Sequence, residues 1–304
     1  MRYSFLLFVL LPVLGWTQEN SKFELGLQLD NDSFASAYND FYYTNGIFVF
    51  ANYVSKKSTA GQKIIHGLKI GQQIYNPRNM KSPFPEDHNR PYAGYLFAEY
   101  NTSKMFQSNS VLGMSFRLGI VGPDSKAEDF QRWMHNAFGF GHIIGWEQQI
   151  HNLVAVQVGL NYSKPIFATD KMDLHFNGQA EAGTAFSSAA IGTLCRISLS
   201  KSVTPMQQSS FYNGLGTAKK EFYFYILPKL NLQFYDATIQ GSLFNHDSPV
   251  TFNLNPLRFK GETGLKFKYS HYNLSCAFNY ITEEIKNNSA TGYYYGSLIG
   301  SYAF

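Results

Sequence analysis

Apolar residues alternate with polar or small ones in this chain over runs longer than soluble strands reach. From Ser110 to Val121, Leu112, Met114, Phe116, Leu118 and Ile120 fall on one face, and Gly113, Ser115, Arg117 and Gly119 on the other. Between Leu257 and Tyr269, Leu257, Phe259, Leu265, Phe267 and Tyr269 oppose Arg258, Lys260, Glu262, Lys266 and Lys268. Between Phe222 and Phe234, Phe222, Phe224, Ile226, Leu230, Leu232 and Phe234 oppose Tyr223, Tyr225, Lys229, Asn231 and Gln233. Ile64 to Ile74 is similar, with Lys69, Gln72 and Gln73 as polar interruptions. A repeat of two residues is the pattern of a strand with one apolar face. About a dozen such segments occur, with little helix between them, and many run to ~10–16 residues where soluble strands average about 5–6. Strands are expected near 22–33, 43–55, 62–75, 92–106, 108–121, 147–165, 169–184, 186–201, 219–237, 253–270, 271–285 and 289–304.

Long strands with one apolar face need either a second sheet or a bilayer, and the chain's start favours the bilayer. Arg2, the apolar run Phe5 to Leu14 and Gly15-Trp16-Thr17 read as a secretory signal cut near Gln18. Residues 1–17 are thus expected to be removed, leaving 18–304 as one domain. No later apolar run is long enough for a transmembrane helix. Charged residues are only 15% and aromatics 17%, which suits lipid-facing strands with aromatic ends. The formal net charge of +4 gives no argument for nucleic acid. The aromatic last segment, from Tyr293-Tyr294-Tyr295 to a terminal Phe304, resembles the assembly signal of outer-membrane barrels. The expected fold is all-β: a twelve-stranded antiparallel transmembrane β-barrel in the outer membrane of a Gram-negative cell, an even number as closure of a single chain requires. Cys195 and Cys276 lie singly in strand-like segments and are expected to stay free.

With both termini periplasmic, the outward connections fall near 34–42, 76–91, 122–146, 185, 238–252 and 286–288. The opposite connection 202–218 is long for a periplasmic turn. The longest outward connection holds the one convincing helix. Gly122-Pro123-Asp124 makes a turn, Ser125 and Glu128 have capping-box spacing, and Ala127 to Phe138 can be helical up to Gly139. On it Glu128, Gln131 and His135 share a face, with Phe130, Met134, Ala137 and Phe138 expected to supply the opposite, packing side.

This topology brings several polar groups to the outer end of the barrel. Asp30-Asn31-Asp32 ends the first strand and Thr44 starts the second. Arg90-Pro91-Tyr92-Ala93-Gly94-Tyr95 opens the fourth, and His135 sits on the outer helix. Taken singly, an Asp-Asn-Asp run is usually a turn, and a lone histidine is usually solvent-facing. Arg90 and Lys81 read as surface charge or as partners of an anionic group. Trp146 and Tyr92 read as packing or belt residues.

Together, Asn31-Asp32, Tyr43-Thr44-Asn45-Gly46, Arg90-Pro-Tyr-Ala-Gly-Tyr, Gly122-Pro123 with Gln131 and His135, and Gly145-Trp146 with Gln149 resemble, in order and spacing, the outer-membrane lipid A 3′-O-deacylases. The resemblance spans the mature chain. It implies a twelve-stranded barrel that hydrolyses the 3′ acyloxyacyl ester of lipid A with Ca2+. The family's Asn-Asp pair maps onto Asn31 and Asp32, its strand-start hydroxyl onto Thr44, and its histidine onto His135. Where some members carry a glutamate and a tyrosine, this chain has Gly141 and Ile143.

An ester hydrolase needs a nucleophile and a group that stabilises the oxyanion. The chain has no Gly-x-Ser-x-Gly elbow, so water activated by His135 is the simplest nucleophile. Calcium on Asp32, helped by Asn31 and Thr44, is the expected electrophile. Lys81, Arg90 and Gln131 are the expected substrate contacts. The substrate and its surroundings are then lipopolysaccharide and outer-membrane lipids, with the protein a monomer. Two other readings stand beside this: a serine hydrolase of phospholipids using Ser33 or Ser36 with His135, and a porin-like barrel. Strict alternation from Leu25, Leu27 and Leu29 turns Asp30 and Asp32 inward and Asn31 outward, so a direct role for Asn31 demands a local bulge.

Overall fold

Each strand of the computed structural model pairs antiparallel with its sequence neighbour, and the first closes on the last, giving a barrel of twelve strands. Residues 21–35, 42–139, 141, 143–286 and 291–304 are described, the Phe138 side chain excepted. The first six strands are β1 Phe23–Asn31, β2 Tyr42–Val54, β3 Gln62–Asn76, β4 Ala93–Phe106, β5 Val111–Val121 and β6 Leu153–Ala168. The rest are β7 Met172–Gly183, β8 Phe186–Ser198, β9 Lys220–Asp236, β10 Leu257–Tyr269, β11 Tyr272–Thr282 and β12 Gly292–Ala303. Two helices lie in outward connections, α1 Ala127–Phe138 and the single turn α2 Ala237–Gln240. The signal segment 1–17 lies outside the described residues. Among them no helix is long and apolar enough to cross a membrane.

The apolar face of every strand points outward. Val154 is 70% exposed, Leu257 66% and Ile70 63%, whereas the alternating Tyr223, Arg196 and Arg258 are buried in the lumen. That inversion of a soluble protein's pattern is what a bilayer requires. At the closing seam the ring of the terminal Phe304 stacks between Phe23 and Tyr302, at 5.9 and 6.4 Å. Its backbone carbonyl accepts from the N–H groups of Lys22 and Phe23 at 2.9 Å.

Side chains and one loop fill most of the lumen, leaving a cavity of about 160 Å³ lined by Glu24, Gln28, Asn52, Lys69 and Asn101. Arg117 bridges Glu99 and Glu181 across the middle of the lumen. At the outer mouth, buried Arg90 and Arg258 share Glu284, and Arg258 also meets Asp236 at 3.6 Å. At the other end the long connection between β8 and β9, which the sequence leaves without a role, folds into the barrel. Residues 202–218 carry no charge, yet they answer the charged wall with their backbone. The ammonium groups of Lys63, Lys266 and Lys268 donate to the carbonyls of Leu215, Phe211, Gly214 and Gly216. Glu24 and Glu221 accept from the N–H groups of Gly214 (2.8 Å) and Ser210 (2.6 Å). Met206, Phe211 and Leu215 pack with Ile65, Met105, Val111, Leu194 and Tyr225. Hydrogen bonds to charged groups contribute about 1.5–3 kcal/mol each, so this loop is a bound plug. Replacing residues 203–217 with a two-residue turn is expected to open the inner half of the lumen. The check is Asn273→Cys, which a charged maleimide should label only in the shortened protein; equal labelling of both would contradict the plug.

Two sequence expectations change. The sixth strand starts at Leu153 rather than near 147, because Trp146 is fully buried beneath α1 and holds the preceding residues in a 3-10 turn, Trp146–Gln148. The capping box does not form. Ser125 ends a 3-10 turn and its hydroxyl donates to the Gly122 carbonyl at 2.6 Å. Lys126, left-handed at φ 60°, stands at the helix N-cap instead. Cys195 and Cys276 form no disulfide.

Candidate active site on the outer wall

The polar residues at the outer end gather on the lipid-facing side of the wall and not over the lumen. In β1, Asp30 faces inward, where the Tyr43 hydroxyl donates to it at 2.8 Å. Asn31 follows on the outer side, in line with Leu25, Leu27 and Leu29. The chain then tightens into a 3-10 turn, Asp32–Phe34, and Asn31 caps it: Oδ1 accepts from the Ser33 N–H at 2.7 Å and from the Ser33 hydroxyl. Its Nδ2 donates to Asn45 Oδ1 on β2 at 2.5 Å. Asp32, the first residue of the turn, is buried.

On β2 the pairing with β3 jumps: Tyr43 faces Tyr75, and Asn45 faces Ile74. Thr44 is the extra residue of this bulge. A bulge re-aims one side chain relative to the alternation. Thr44, which strict alternation puts inside with Gly46 and Phe48, instead meets Asn76, whose Nδ2 donates to Thr44 Oγ1 at 3.2 Å. Asn76 is on the outer face of β3 with Ile74. Its Oδ1 is buried with no hydrogen-bond partner.

The helix α1 covers this stretch of wall. Ile74 and Tyr92 pack with Ala127, Ile143 and Trp146, and with the half-buried Met80 and Phe130. Gly94 admits the helix: a Cβ there would sit 2.1 Å from Ser125 Oγ and 2.2 Å from Ala127 Cβ. Gln72 Nε2 donates to the Ser125 carbonyl at 2.6 Å, and the Tyr92 hydroxyl to the Ile144 carbonyl at 2.8 Å. Gln131 is fully buried; its Oε1 accepts from Trp146 Nε1 at 2.9 Å, while Nε2 has no partner. Ala127, Gln131 and His135 recur every four residues on one face. At 1.5 Å per residue His135 lies ~12 Å beyond Ala127, about the width of two to three strands. That face starts over Gly94 of β4 and packs with Ile74 of β3, and His135 is its last member. His135 Nδ1 is 2.9 Å from the Gly141 carbonyl. A carbonyl only accepts, so Nδ1 holds a proton and the neutral ring keeps its lone pair on Nε2.

The expected residues separate accordingly. Asn31, Asp32, Thr44, Gln131 and His135 belong to the outer end of the wall or to the helix over it. The outward setting of Asn31 needs no bulge, because the site itself is outward; the bulge is at Thr44. Lys81 is exposed on the loop after β3, next to Met80, whose carbonyl accepts from the Ile144 N–H at 2.9 Å. Arg90 is elsewhere. It is fully buried at the mouth of the lumen, donating to Thr238 Oγ1 at 2.9 Å, 4.4 Å from the Tyr75 ring centroid and 3.7 Å from Glu284. Arg90 fills the mouth, and this position corrects its expected substrate contact. The Ser33 hydroxyl is committed to Asn31, and Ser36 lies outside the described residues. Asn45, quoted only as part of its motif, and Asn76 receive no role in the sequence reading; for Asn76 the available signal is a polar residue on the apolar face of β3, just before Pro77.

For a hard cation, the oxygens of Asn31, Asp32 and Thr44, together with the unpartnered Asn76 Oδ1, are the right donor chemistry. Among the described residues no three His, Cys, Asp or Glu side chains cluster to hold a metal. A calcium ion here would have one carboxylate, Asp32, with amide, hydroxyl and backbone oxygens.

Comparison with known proteins agrees with this architecture. No curated protein matches the chain. Among solved structures, LpxR from Salmonella typhimurium superposes with a TM-score of 0.76 at 18% identity, over 92% of this chain and 100% of that one. The beta domain of the Bordetella autotransporter BrkA gives 0.51 at 9% identity, over 94% and 100%. These likenesses establish the fold. The family described as outer membrane protein LpxR matches residues 3–304, and this chain, an outer-membrane barrel, belongs to that family.

Proposed function

We propose that this protein hydrolyses the 3′-linked acyloxyacyl ester of lipid A, in the outer leaflet, with water as nucleophile. The observation that carries this reading is the side of the wall on which the polar residues gather. Asn31, Thr44, Asn45 and Asn76 lie on the face that Leu25, Ile70 and Leu96 present to lipid. A membrane lipid reaches that face by lateral diffusion, with its ester at headgroup depth. The lumen, crossed by Arg117 with Glu99 and Glu181 and plugged by residues 202–218, offers no second route from the inner side.

In this reading His135 is the general base. The Gly141 carbonyl holds Nδ1–H, at the position where some relatives carry a glutamate, so the chain's own backbone orients the ring. Nε2 takes a proton from water as its oxygen attacks the ester carbonyl. The imidazolium then returns the proton to the departing sugar oxygen, releasing a fatty acid and a free hydroxyl. Asp32, with Asn31 and Thr44, would hold a calcium ion, which when bound supplies electrophilic stabilisation of the oxyanion. Gln131 Nε2, buried and unpartnered, faces the gap between helix and wall as a hydrogen-bond donor to substrate. Lys81 is the cation available to a lipid A phosphate. One chain supplies all these groups, so a monomer suffices.

The test is mass spectrometry of lipid A incubated with the purified barrel in mixed micelles, with and without chelator. Loss of the mass of one acyloxyacyl unit, blocked by chelator and restored by calcium, is expected. Unchanged lipid A in the presence of folded protein and calcium contradicts the proposal. Labelling by a serine-reactive phosphonate would favour the serine hydrolase, which the engagement of the Ser33 hydroxyl by Asn31 already disfavours.

A further inference from the structure

We infer that Tyr43, Asp30 and Gly46 form a latch on the lumen side of the wall that positions Thr44 on the other side; the inference rests on the proposed deacylase site. None of the three faces the site. Tyr43 and Asp30 are the inward neighbours of Thr44 and Asn31 along the same two strands, and β1 and β2 pair Asp30 with Gly46 and Asn31 with Asn45.

The geometry is specific. Tyr43 does not stand upright on its own strand. Its ring leans three residues along β2, so that its hydroxyl reaches Asp30 Oδ2, opposite Gly46, at 2.8 Å. The lean is possible only over a residue without a side chain: a Cβ on Gly46 would lie 2.1 Å from the Tyr43 hydroxyl and 2.7 Å from the Phe48 ring. Rings on both sides hold the pose, Tyr75 at 5.3 Å and Tyr295 at 4.7 Å. Asp30 is fixed in turn, its Oδ1 accepting from Gln28 Nε2 at 3.0 Å.

The consequence lies in the register. Two residues after Gly46's inward position, counting back, strict alternation would place Thr44 inside and Tyr43 in lipid. The observed shift between Tyr43 and Asn45 exchanges them. A bulge leaves one residue unpaired and costs ladder hydrogen bonds, so something must favour it over the regular strand. The buried phenol bonded to a carboxylate is that term. In the regular register Tyr43 would lose both Asp30 and its two ring neighbours, and Asp30 would keep a buried oxygen with one partner fewer. Latch and site are thus two faces of one backbone choice. The three residues are positioning residues.

The test uses the full-length barrel, refolded and in its native membrane. Tyr43→Phe and Asp30→Leu remove the bond; Asp30→Asn keeps an oxygen for the phenol to donate to. Tyr43→Phe and Asp30→Leu are expected to lower kcat by about 10- to 100-fold, the cost of misplacing a reacting group by about an ångström. KM should stay within twofold, and Asp30→Asn should retain most activity. A second readout does not depend on catalysis. Amide hydrogen exchange across residues 42–48 should quicken in Tyr43→Phe and not in Asp30→Asn, while exchange in β6 to β8 is unchanged. Wild-type activity with unaltered kcat and unaltered exchange in Tyr43→Phe overturns the latch. Altered exchange with no wild-type deacylation supports the latch and overturns the function it is said to serve.

Discussion

His135→Ala should reduce deacylation by about a thousandfold or more while leaving a folded barrel. General base catalysis contributes about 10²–10⁴ in rate, and Glu128, which the sequence puts on the same face, is engaged by Arg132. The fold is insulated from the change. His135 is half-buried on the helix's last turn, and the interactions lost include its bond to the Gly141 carbonyl, a net effect of ~1 kcal/mol for that bond. The helix stays anchored through Gln131, Trp146 and Gly94, none of which is touched. The measurement is the initial rate of fatty acid release from lipid A micelles. It is paired with the heat-dependent change in gel mobility that distinguishes folded from unfolded barrels. Retention of activity within threefold would remove His135 from the mechanism. A matching loss of the folded band would show that the histidine acts through structure, and His135→Gln, which can still donate to the Gly141 carbonyl, separates the two. The glutamine should fold as the wild type does and be as inactive as the alanine.

The barrel was legible in the chain because period two, run length and the apolar outer face all derive from one constraint, the bilayer. The helix Ala127–Phe138 was legible for a similar reason, a 3.6-residue pattern ending in glycine. The side of the wall was not. Alternation turns Asn31 outward, but an outward residue in a barrel is ordinarily a lipid contact, so the sequence places the polar groups at the outer end of the barrel without saying on which side of the wall they gather. Nothing local to Thr44 announces its bulge. The groups that favour it are Asp30, thirteen or fourteen residues earlier, and Tyr75 and Tyr295 on strands far off in sequence. Arg90 illustrates the same gap: a basic residue opening a strand reads as surface charge until its partner, Glu284, is brought to it across the mouth. The plug was hidden for the opposite reason. Residues 202–218 carry no charge and little pattern, and their role is to present backbone to lysines that the sequence places on two other strands, β3 and β10.

Glu284→Ala should be the most destabilising single substitution outside the site. Glu284 is buried and lies between two buried guanidinium groups, Arg258 Nη1 at 3.2 Å and Arg90 Nε at 3.7 Å, the latter an ion pair too long for a hydrogen bond. The Tyr293 hydroxyl also donates to it, at 3.1 Å. Removing one partner of a buried pair strands the other charge, at a cost of about 3–5 kcal/mol. Here two arginines share the carboxylate, and among the described residues the carboxylate that remains paired with either is Asp236, 3.6 Å from Arg258 Nη1. The expected result is a drop of that size in the unfolding free energy in urea and a lower temperature for loss of the folded gel band. Glu284→Gln, which still accepts from Tyr293 and Arg258, should lose less. Replacing Arg90, Arg258 and Glu284 together by Met, Met and Leu should recover much of the loss, since apolar groups of similar volume often substitute for buried ions without penalty. A change below about 1 kcal/mol in Glu284→Ala would mean that water enters the mouth and solvates the arginines. In that event the outer end of the lumen is open to solvent.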